Sequence, residues 1–151
     1  MSEKIQSANE EDLKRLRRML RKVAGHDLEA VKRRLERSAK PRPGAEEIRV
    51  LDIACGMGYG SAELAHVATR VVGMDVSNEA VLAAGALYQA PNLQFITAPA
   101  QHIPFDDLSF DLIVAFEVIE HLSDWPALLA EARRLLAPGG QFIVSTPNQE
   151  Y

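Results

Sequence analysis

The residues best suited to chemistry in this sequence begin with three glycines at alternate positions, Gly56, Gly58 and Gly60. An apolar run that predicts a buried strand, Val50 to Ile53, precedes them, and a segment that predicts a helix follows. Glycine allows the positive φ that a tight turn needs and leaves room for a ligand. The free N–H groups of the following helix would face this turn, which predicts a site for an anionic or electron-rich group.

A carboxylate follows the next predicted strand, because Asp75 ends the apolar run of residues 70–75. A carboxylate at the tip of a parallel strand beside a glycine turn can accept hydrogen bonds from both hydroxyls of a ribose. The turn and Asp75 together predict a cofactor that contains a nucleoside. The glycine spacing alone leaves its class open, since the dinucleotide fingerprint G-x-G-x-x-G is similar.

A third group follows the predicted fourth strand, where Glu117, Glu120 and His121 stand at i, i+3 and i+4. On a helical turn these residues share one face. Two carboxylates and an imidazole could there hold a divalent metal ion, or His121 with Glu120 could act as a base or contact the substrate. A purely structural role in packing or in a substrate loop is the remaining alternative.

Residues 50–58, V-L-D-I-A-C-G-M-G, resemble motif I of the class I S-adenosylmethionine-dependent methyltransferases, V-L-D-x-G-C-G-x-G. The resemblance spans roughly residues 48–148 and includes V-G-M-D-V-S at 72–77, A-P-A-Q-H-I-P-F at 98–105, S-F-D-L-I-V at 109–114 and L-A-P-G-G at 136–140. It implies that Asp75 binds the ribose of S-adenosylmethionine. It also implies a wider set of cofactor-binding residues: Asp52, Ala54, Cys55, Gly56, Gly58, Val76, Ala100, Gln101 and Glu117.

The sequence departs from this family at two positions. Ala54 stands where the family usually has glycine, and Pro99 stands where an aspartate often accepts a hydrogen bond from the adenine amino group. Proline has neither a side-chain acceptor nor a backbone N–H. We therefore expect the adenine to contact the N–H of Ala100 and the amide of Gln101, with one hydrogen bond fewer than usual.

The string E-V-I-E-H, residues 117–121, resembles that of ubiquinone-pathway O-methyltransferases and of small-RNA 2′-O-methyltransferases. The resemblance implies O-methylation of a small-molecule or glycan-like acceptor. In the RNA enzymes the two glutamates and the histidine bind magnesium or manganese with a further histidine. Two alternatives stay open: a nicotinamide-dependent oxidoreductase, and a cofactor-binding or interaction module without turnover.

Strands and helices alternate from residue 46, which predicts an α/β fold with a doubly wound, Rossmann-like, mostly parallel sheet. The expected sheet order is 3-2-1-4-5, lacking strands 6 and 7 of the family, in a core that spans 46–151. The predicted strands are 48–54, 70–75, 93–96, 110–116 and 140–145, and the predicted helices are 59–67, 77–88 and 126–137. Ser77 is the expected cap of the second helix. The last strand would be an apolar sheet edge that favours association.

Residues 1–45 predict a basic helical hairpin and a linker, with leucines at helical spacing and the breaker K-P-R-P-G at 40–44. Residues 1–43 hold 13 Lys and Arg against 7 Asp and Glu, whereas the rest holds 4 against 14. This arm has no aromatic residue to stack on bases, which argues against nucleic acid as a partner. We expect the arm to pack on the core or on a second copy, as a homo-oligomer, with a lid over an acidic substrate or a membrane-surface contact as alternatives.

The single cysteine, Cys55, excludes an intrachain disulfide framework and suits a reducing compartment. The 151 residues contain neither an apolar signal core nor a run long enough for a membrane span. The sequence therefore predicts a cytoplasmic, soluble protein, with Cys55 as a small packing residue rather than a nucleophile.

Overall fold

The computed structural model describes residues 47–147. The predicted basic arm and linker, residues 1–45, lie outside the described residues, as do residue 46 and residues 148–151. The division into an arm and a core therefore stays a prediction.

The described residues form one parallel sheet with helices between its strands. The five strands are β1 (Arg49–Ile53), β2 (Arg70–Asp75), β3 (Leu93–Thr97), β4 (Phe110–Phe116) and β5 (Leu136–Ser145). The helices are α1 (Tyr59–Leu64), α2 (Asn78–Leu87), a short 3₁₀ helix (Ile119–His121) and α3 (Trp125–Leu135). The sheet order is β3-β2-β1-β4-β5 and every pair is parallel, which confirms the predicted fold class and order.

The capping residues explain where two of the helices begin. The Ser77 side chain accepts a hydrogen bond from the N–H of Ala80 at 3.2 Å, so the predicted cap of α2 is confirmed. Asp124 does the same for α3 by accepting from the N–H of Ala127 at 3.2 Å, and a proline lies in that first turn. Helix α1 ends at Leu64, earlier than the predicted residue 67.

Strand β5 begins at Leu136, four residues before the predicted start at 140, because the P-G-G segment interrupts the strand without ending it. Leu136 pairs with Phe110 and Gln141 with Leu112, so residues 137–140 all lie opposite a single residue of β4. Gly139 takes a φ of 77° in this bulge. The predicted turn is therefore a bulge within β5.

The core has two layers, one on each face of the sheet. Val50 and Leu51 are adjacent in β1 and belong to different clusters, as the alternation of side chains along a strand requires. Leu128 and Leu135 of α3 cover one face, and Leu64 of α1 covers the other. Because β1 is buried on both faces, the helices leave only the ends of the strands open to a ligand.

The loop between β3 and β4 is fastened to α3 by Arg134. Its guanidinium donates to the carbonyl oxygens of Ile103 at 3.0 Å and Phe105 at 2.7 Å. It also pairs with Glu131 at 2.8 Å, and Glu131 accepts the N–H of Ile103 at 2.7 Å. These contacts hold the loop that begins with the expected adenine contacts, Ala100 and Gln101.

Within residues 47–147, β5 pairs with β4 alone, and Val144 is 43% exposed. The predicted association through this edge stays a prediction. No helix in the same range has the length and apolar character needed to cross a membrane.

Candidate cofactor-binding site

The glycine turn after β1 takes the backbone conformation that its glycines predict. Gly56 has a φ of 53° and Gly58 a φ of 80°. The N–H of Gly58 donates to the carbonyl of Cys55 at 2.9 Å, and the N–H of Cys55 donates to the carbonyl of Met74 at 2.9 Å. The turn is thus closed on itself and attached to β2, at the point of the sheet where β1 separates β2 from β4.

The three glycines serve different purposes. A side chain at Gly56 would meet nothing within 4 Å, so this backbone faces open space that a ligand can approach. Gly58 is buried and packed. Gly60 lies inside α1 without a positive φ, and a Cβ there would stand 3.3 Å from a carboxylate oxygen of Asp52. The expectation that Gly60 forms part of the turn is therefore wrong, and its lack of a side chain instead allows close packing against Asp52.

Asp75 joins the turn to the end of β2. Its Oδ2 accepts the N–H of Gly56 at 2.9 Å, and its Oδ1 accepts the N–H of Ser77 at 2.9 Å. Each carboxylate oxygen has a second lone pair, and the residue is only half-buried, so both oxygens can also accept a ribose hydroxyl. The neighbouring Val76 is 74% exposed, an apolar surface beside this carboxylate on which a flat base could lie.

Asp52 supports the turn from beneath and does not face open space. It is 5% exposed, and the Ser61 hydroxyl donates to its Oδ2 at 2.6 Å. The pKa of Asp52 is raised to about 6, because burial, with a smaller contribution from the charge of Asp75, raises it by more than the Ser61 hydrogen bond lowers it. Asp52, expected among the cofactor-binding residues, therefore reaches a ligand only through the turn that it supports.

The raised pKa of Asp52 predicts a pH dependence of stability. The folded chain binds this proton more tightly than the unfolded chain does, so stability falls as the pH rises from about 4 to about 6. A shift of this size corresponds to about 3 kcal/mol. We expect an Asp52→Asn variant to lack this decline when urea unfolding is measured at pH 4 and at pH 7. A parallel decline in both proteins would contradict the assignment.

Cys55 is held as a neutral thiol. Burial raises its pKa to about 12, with further contributions from the charges of Asp52 and Asp75. The thiol also lies 3.7 Å from the carbonyl oxygen of Gly56. A protonated thiol is a poor nucleophile, which supports the packing interpretation of Cys55.

The loop after β3 offers polar groups where an adenine is expected. The N–H of Ala98 donates to the carbonyl of Asp75 at 3.0 Å, which sets the loop beside this residue. Pro99 is exposed, whereas Ala100 and Gln101 are half-buried. Among the described residues, the N–H of Ala100 has no partner. A free backbone donor next to Pro99 fits the predicted adenine contact.

Glu117, Glu120 and His121 do not share a helical face, so that prediction is wrong. Glu117 has a φ of 54° and lies before the 3₁₀ helix that contains the other two residues. Its carboxylate accepts from the Ser145 hydroxyl at 3.1 Å, and its N–H donates to the Ser145 carbonyl at 3.1 Å. In residues 47–147 no three His, Cys, Asp or Glu side chains are grouped to hold a metal ion. The predicted metal set is thus not assembled, although all three residues are exposed beyond β4.

This geometry agrees with a comparison with known protein families. Residues 51–144 match the family described as Methyltransferase domain. The chain belongs to this methyltransferase family. The matched residues include the glycine turn and the acidic end of β2. A curated relative of this part of the chain is named as a probable S-adenosylmethionine-dependent methyltransferase.

Two curated relatives and one solved structure show the extent of the likeness. The methyltransferase domain is 42% identical over 100 residues to a probable S-adenosylmethionine-dependent methyltransferase of Mycolicibacterium smegmatis, covering 66% of this chain and 38% of the relative. It is 36% identical over 107 residues to a ubiquinone biosynthesis O-methyltransferase of Psychrobacter cryohalolentis, covering 67% of this chain and 41% of the relative. The structure of the YcgJ protein from Bacillus subtilis matches with a TM-score of 0.69 at 29% identity, covering 80% of this chain and 50% of that protein. The chain spans less than half the length of these curated relatives.

Two non-glycine residues of the methyltransferase domain take the left-handed conformation next to the site. Ala54 follows β1 with a φ of 57°, and Glu117 follows the adjacent β4 with a φ of 54°. The left-handed region costs an L-residue roughly 1–2 kcal/mol. The backbone is therefore strained at position 54, where class I methyltransferases usually have glycine.

We expect an Ala54→Gly variant to be more stable by about 0.5–1 kcal/mol, because relief of the strain exceeds the added entropy of the unfolded chain. Urea unfolding measures the change. The matched control is Ala62→Gly within α1, where glycine should cost about 1 kcal/mol. Equal destabilisation in both variants would show that Ala54 is not strained.

Two residues that build the site were not predicted from the sequence. The hydroxyls of Ser61 and Ser145 donate to Asp52 and Glu117, respectively. The only signal in the sequence is a small hydroxyl residue near a strand end or helix start, which is too common to identify them. Their roles depend on which strand ends are brought together.

Proposed function

We propose that this methyltransferase domain binds S-adenosylmethionine and transfers its methyl group. The observation that carries the proposal is the half-buried Asp75 carboxylate, bonded at 2.9 Å to the N–H of Gly56 beneath open space. The names of the relatives support it, because a probable methyltransferase and an O-methyltransferase share this part of their chains.

The described residues suggest how the cofactor would be held. Asp75 would accept the ribose hydroxyls, the backbone at Gly56 would pass the methionine end, and the adenine would lie on Val76 with Ala100 donating to it. When bound, S-adenosylmethionine supplies an activated methyl group on a sulfonium. The protein then has to align the acceptor and remove its proton where the acceptor is a hydroxyl.

We propose a small-molecule or glycan-like acceptor with a hydroxyl group. The E-V-I-E-H string supports this choice, as does the relative named for ubiquinone biosynthesis. Glu120 and His121 are exposed in the 3₁₀ helix beyond β4, on the same edge of the sheet as the glycine turn. We assign His121, with Glu120, to the acceptor side as base or substrate contact. The single cysteine supports a cytoplasmic location.

The cofactor class is tested by calorimetric titration of the 151-residue chain with S-adenosylhomocysteine and, separately, with NAD. We expect saturable binding of the first and none of the second. Binding of NAD alone would favour the oxidoreductase alternative. Binding of S-adenosylhomocysteine without methyl transfer to any hydroxyl acceptor would favour a module without turnover.

The placement of His121 on the acceptor side predicts that a His121→Ala variant keeps its affinity for S-adenosylhomocysteine within about twofold, since none of the cofactor contacts proposed above involves this side chain. The same titration measures it. A tenfold loss of affinity in a folded variant would place His121 against the cofactor and would contradict the assignment.

A further inference from the structure

The ring of Phe95 lies against two glycines, one in β2 and one in the glycine turn after β1. Phe95 of β3 pairs directly with Gly73 of β2. A Cβ on Gly73 would stand 2.6 Å from Cδ1 and 2.7 Å from Cε1 of the Phe95 ring. A Cβ on Gly58, in the glycine turn, would stand 2.6 Å from Cζ and 2.7 Å from Cε1 of the same ring. One edge of the ring therefore covers Gly73 while its tip touches the turn.

Neighbouring groups confine the glycine turn and Gly73 from further directions, while Phe95 itself is half-buried. The Cβ of Ala84 in α2 would be 2.8 Å from a side chain at Gly58, so the turn is confined from a second direction. The Ser61 hydroxyl occupies the space over Gly73 beside the ring, at 2.6 Å from the same hypothetical Cβ. That hydroxyl is fixed by its hydrogen bond to Asp52. Close-packed contacts of this kind transmit a change of volume as a shift of backbone.

We propose that Phe95 is a positioning residue for the cofactor, because the volume of its ring sets the height of the glycine turn above β2. This inference rests on the proposed function. Gly58 rests on the ring, and Gly56, two residues earlier, presents its N–H to Asp75 at 2.9 Å. A smaller side chain at position 95 lets the turn settle away from Asp75 and from the open space over Gly56. Phe95 acts through the turn and does not itself contact the cofactor.

The first test compares Phe95→Leu with Phe110→Leu by titration of S-adenosylhomocysteine at a temperature where circular dichroism shows both to be folded. Phe110 is a matched control, since it is buried at the start of β4, the opposite end of the sheet, against Phe105. We expect the dissociation constant to rise at least fivefold in Phe95→Leu and less than twofold in Phe110→Leu. Equal changes in the two variants would overturn the proposal.

The second test is a double-mutant cycle between Phe95→Leu and Gly58→Ala. The positive φ of Gly58 strains alanine in both backgrounds and so cancels in the coupling. We expect the loss of affinity caused by Gly58→Ala to be at least fivefold smaller in the Phe95→Leu background than in the unmodified chain. The control cycle uses Gly56→Ala, which has a similar φ but no ring contact, and it should be additive within twofold. Additivity in both cycles would overturn the proposal.

The two proposals fail in different ways. If the unmodified chain bound no S-adenosylhomocysteine, the proposed function would fall, and the positioning role with it. If the unmodified chain bound it and the variants behaved as the controls do, only the role of Phe95 would be refuted. Should Gly58→Ala not fold, the comparison of Phe95→Leu with Phe110→Leu decides the matter alone.

Discussion

An Asp75→Ala variant is expected to bind S-adenosylhomocysteine at least about 100-fold more weakly than the unmodified chain. A hydrogen bond to a charged group contributes about 1.5–3 kcal/mol, and two ribose hydroxyls would lose theirs together. The variant also removes the acceptor for the N–H groups of Gly56 and Ser77, so the turn loses one of its attachments to β2. Calorimetric titration measures the loss.

Asp106→Ala is the matched control for this prediction. It removes an exposed carboxylate in the loop before β4, away from the glycine turn, and should leave the affinity unchanged. Both variants must show the circular dichroism of the unmodified chain, so that a loss of folding is not mistaken for a loss of affinity. An Asp75→Ala variant that is folded and binds within threefold of the unmodified chain would defeat the assignment of the ribose carboxylate.

An Arg134→Ala variant is expected to lower the free energy of unfolding by about 2–4 kcal/mol. The change removes the guanidinium donor to the carbonyl oxygens of Ile103 and Phe105, of which Ile103 still accepts the N–H of Phe105 at 2.8 Å. It also removes the ion pair with Glu131. Urea unfolding measures the difference. Arg133→Ala is the control, because Arg133 is exposed on the same helix, and it should change stability by less than about 0.5 kcal/mol.

The effect of Arg134 should depend on pH in a defined direction. The hydrogen bond from Arg134 lowers the pKa of Glu131 to about 2, with the N–H of Ile103 contributing as well. The carboxylate therefore adds stability that is complete above its ordinary pKa of 4.5 and is lost as the pH falls toward 2. The difference between the unmodified chain and Arg134→Ala should narrow over that range. A difference that stays constant with pH would show that Glu131 does not contribute through Arg134.

Much of the fold could be predicted from the sequence because its signals are local. Apolar runs and glycine turns marked the strands near residues 50, 71 and 112, and the alternation of strands with helices predicted the parallel sheet. The P-G-G bulge was the exception, since only its pairing with β4 shows that β5 continues through it. The short α1 was also overestimated, because helical periodicity does not reveal where packing ends a helix.

The sequence by itself determined the candidate cofactor-binding site at the carboxyl ends of the strands: the turn at Gly56 and Gly58, and Asp75 at the end of the next strand. Residue type and spacing suffice there, because glycine conformation and the alignment of parallel strand ends are general properties of the chain. Tertiary structure alone decided that Asp52 is buried on Ser61, that Glu117 turns toward Ser145, and that the ring of Phe95 lies beneath the turn. These contacts join residues distant in sequence, so they depend on strand register and packing, which local patterns do not encode.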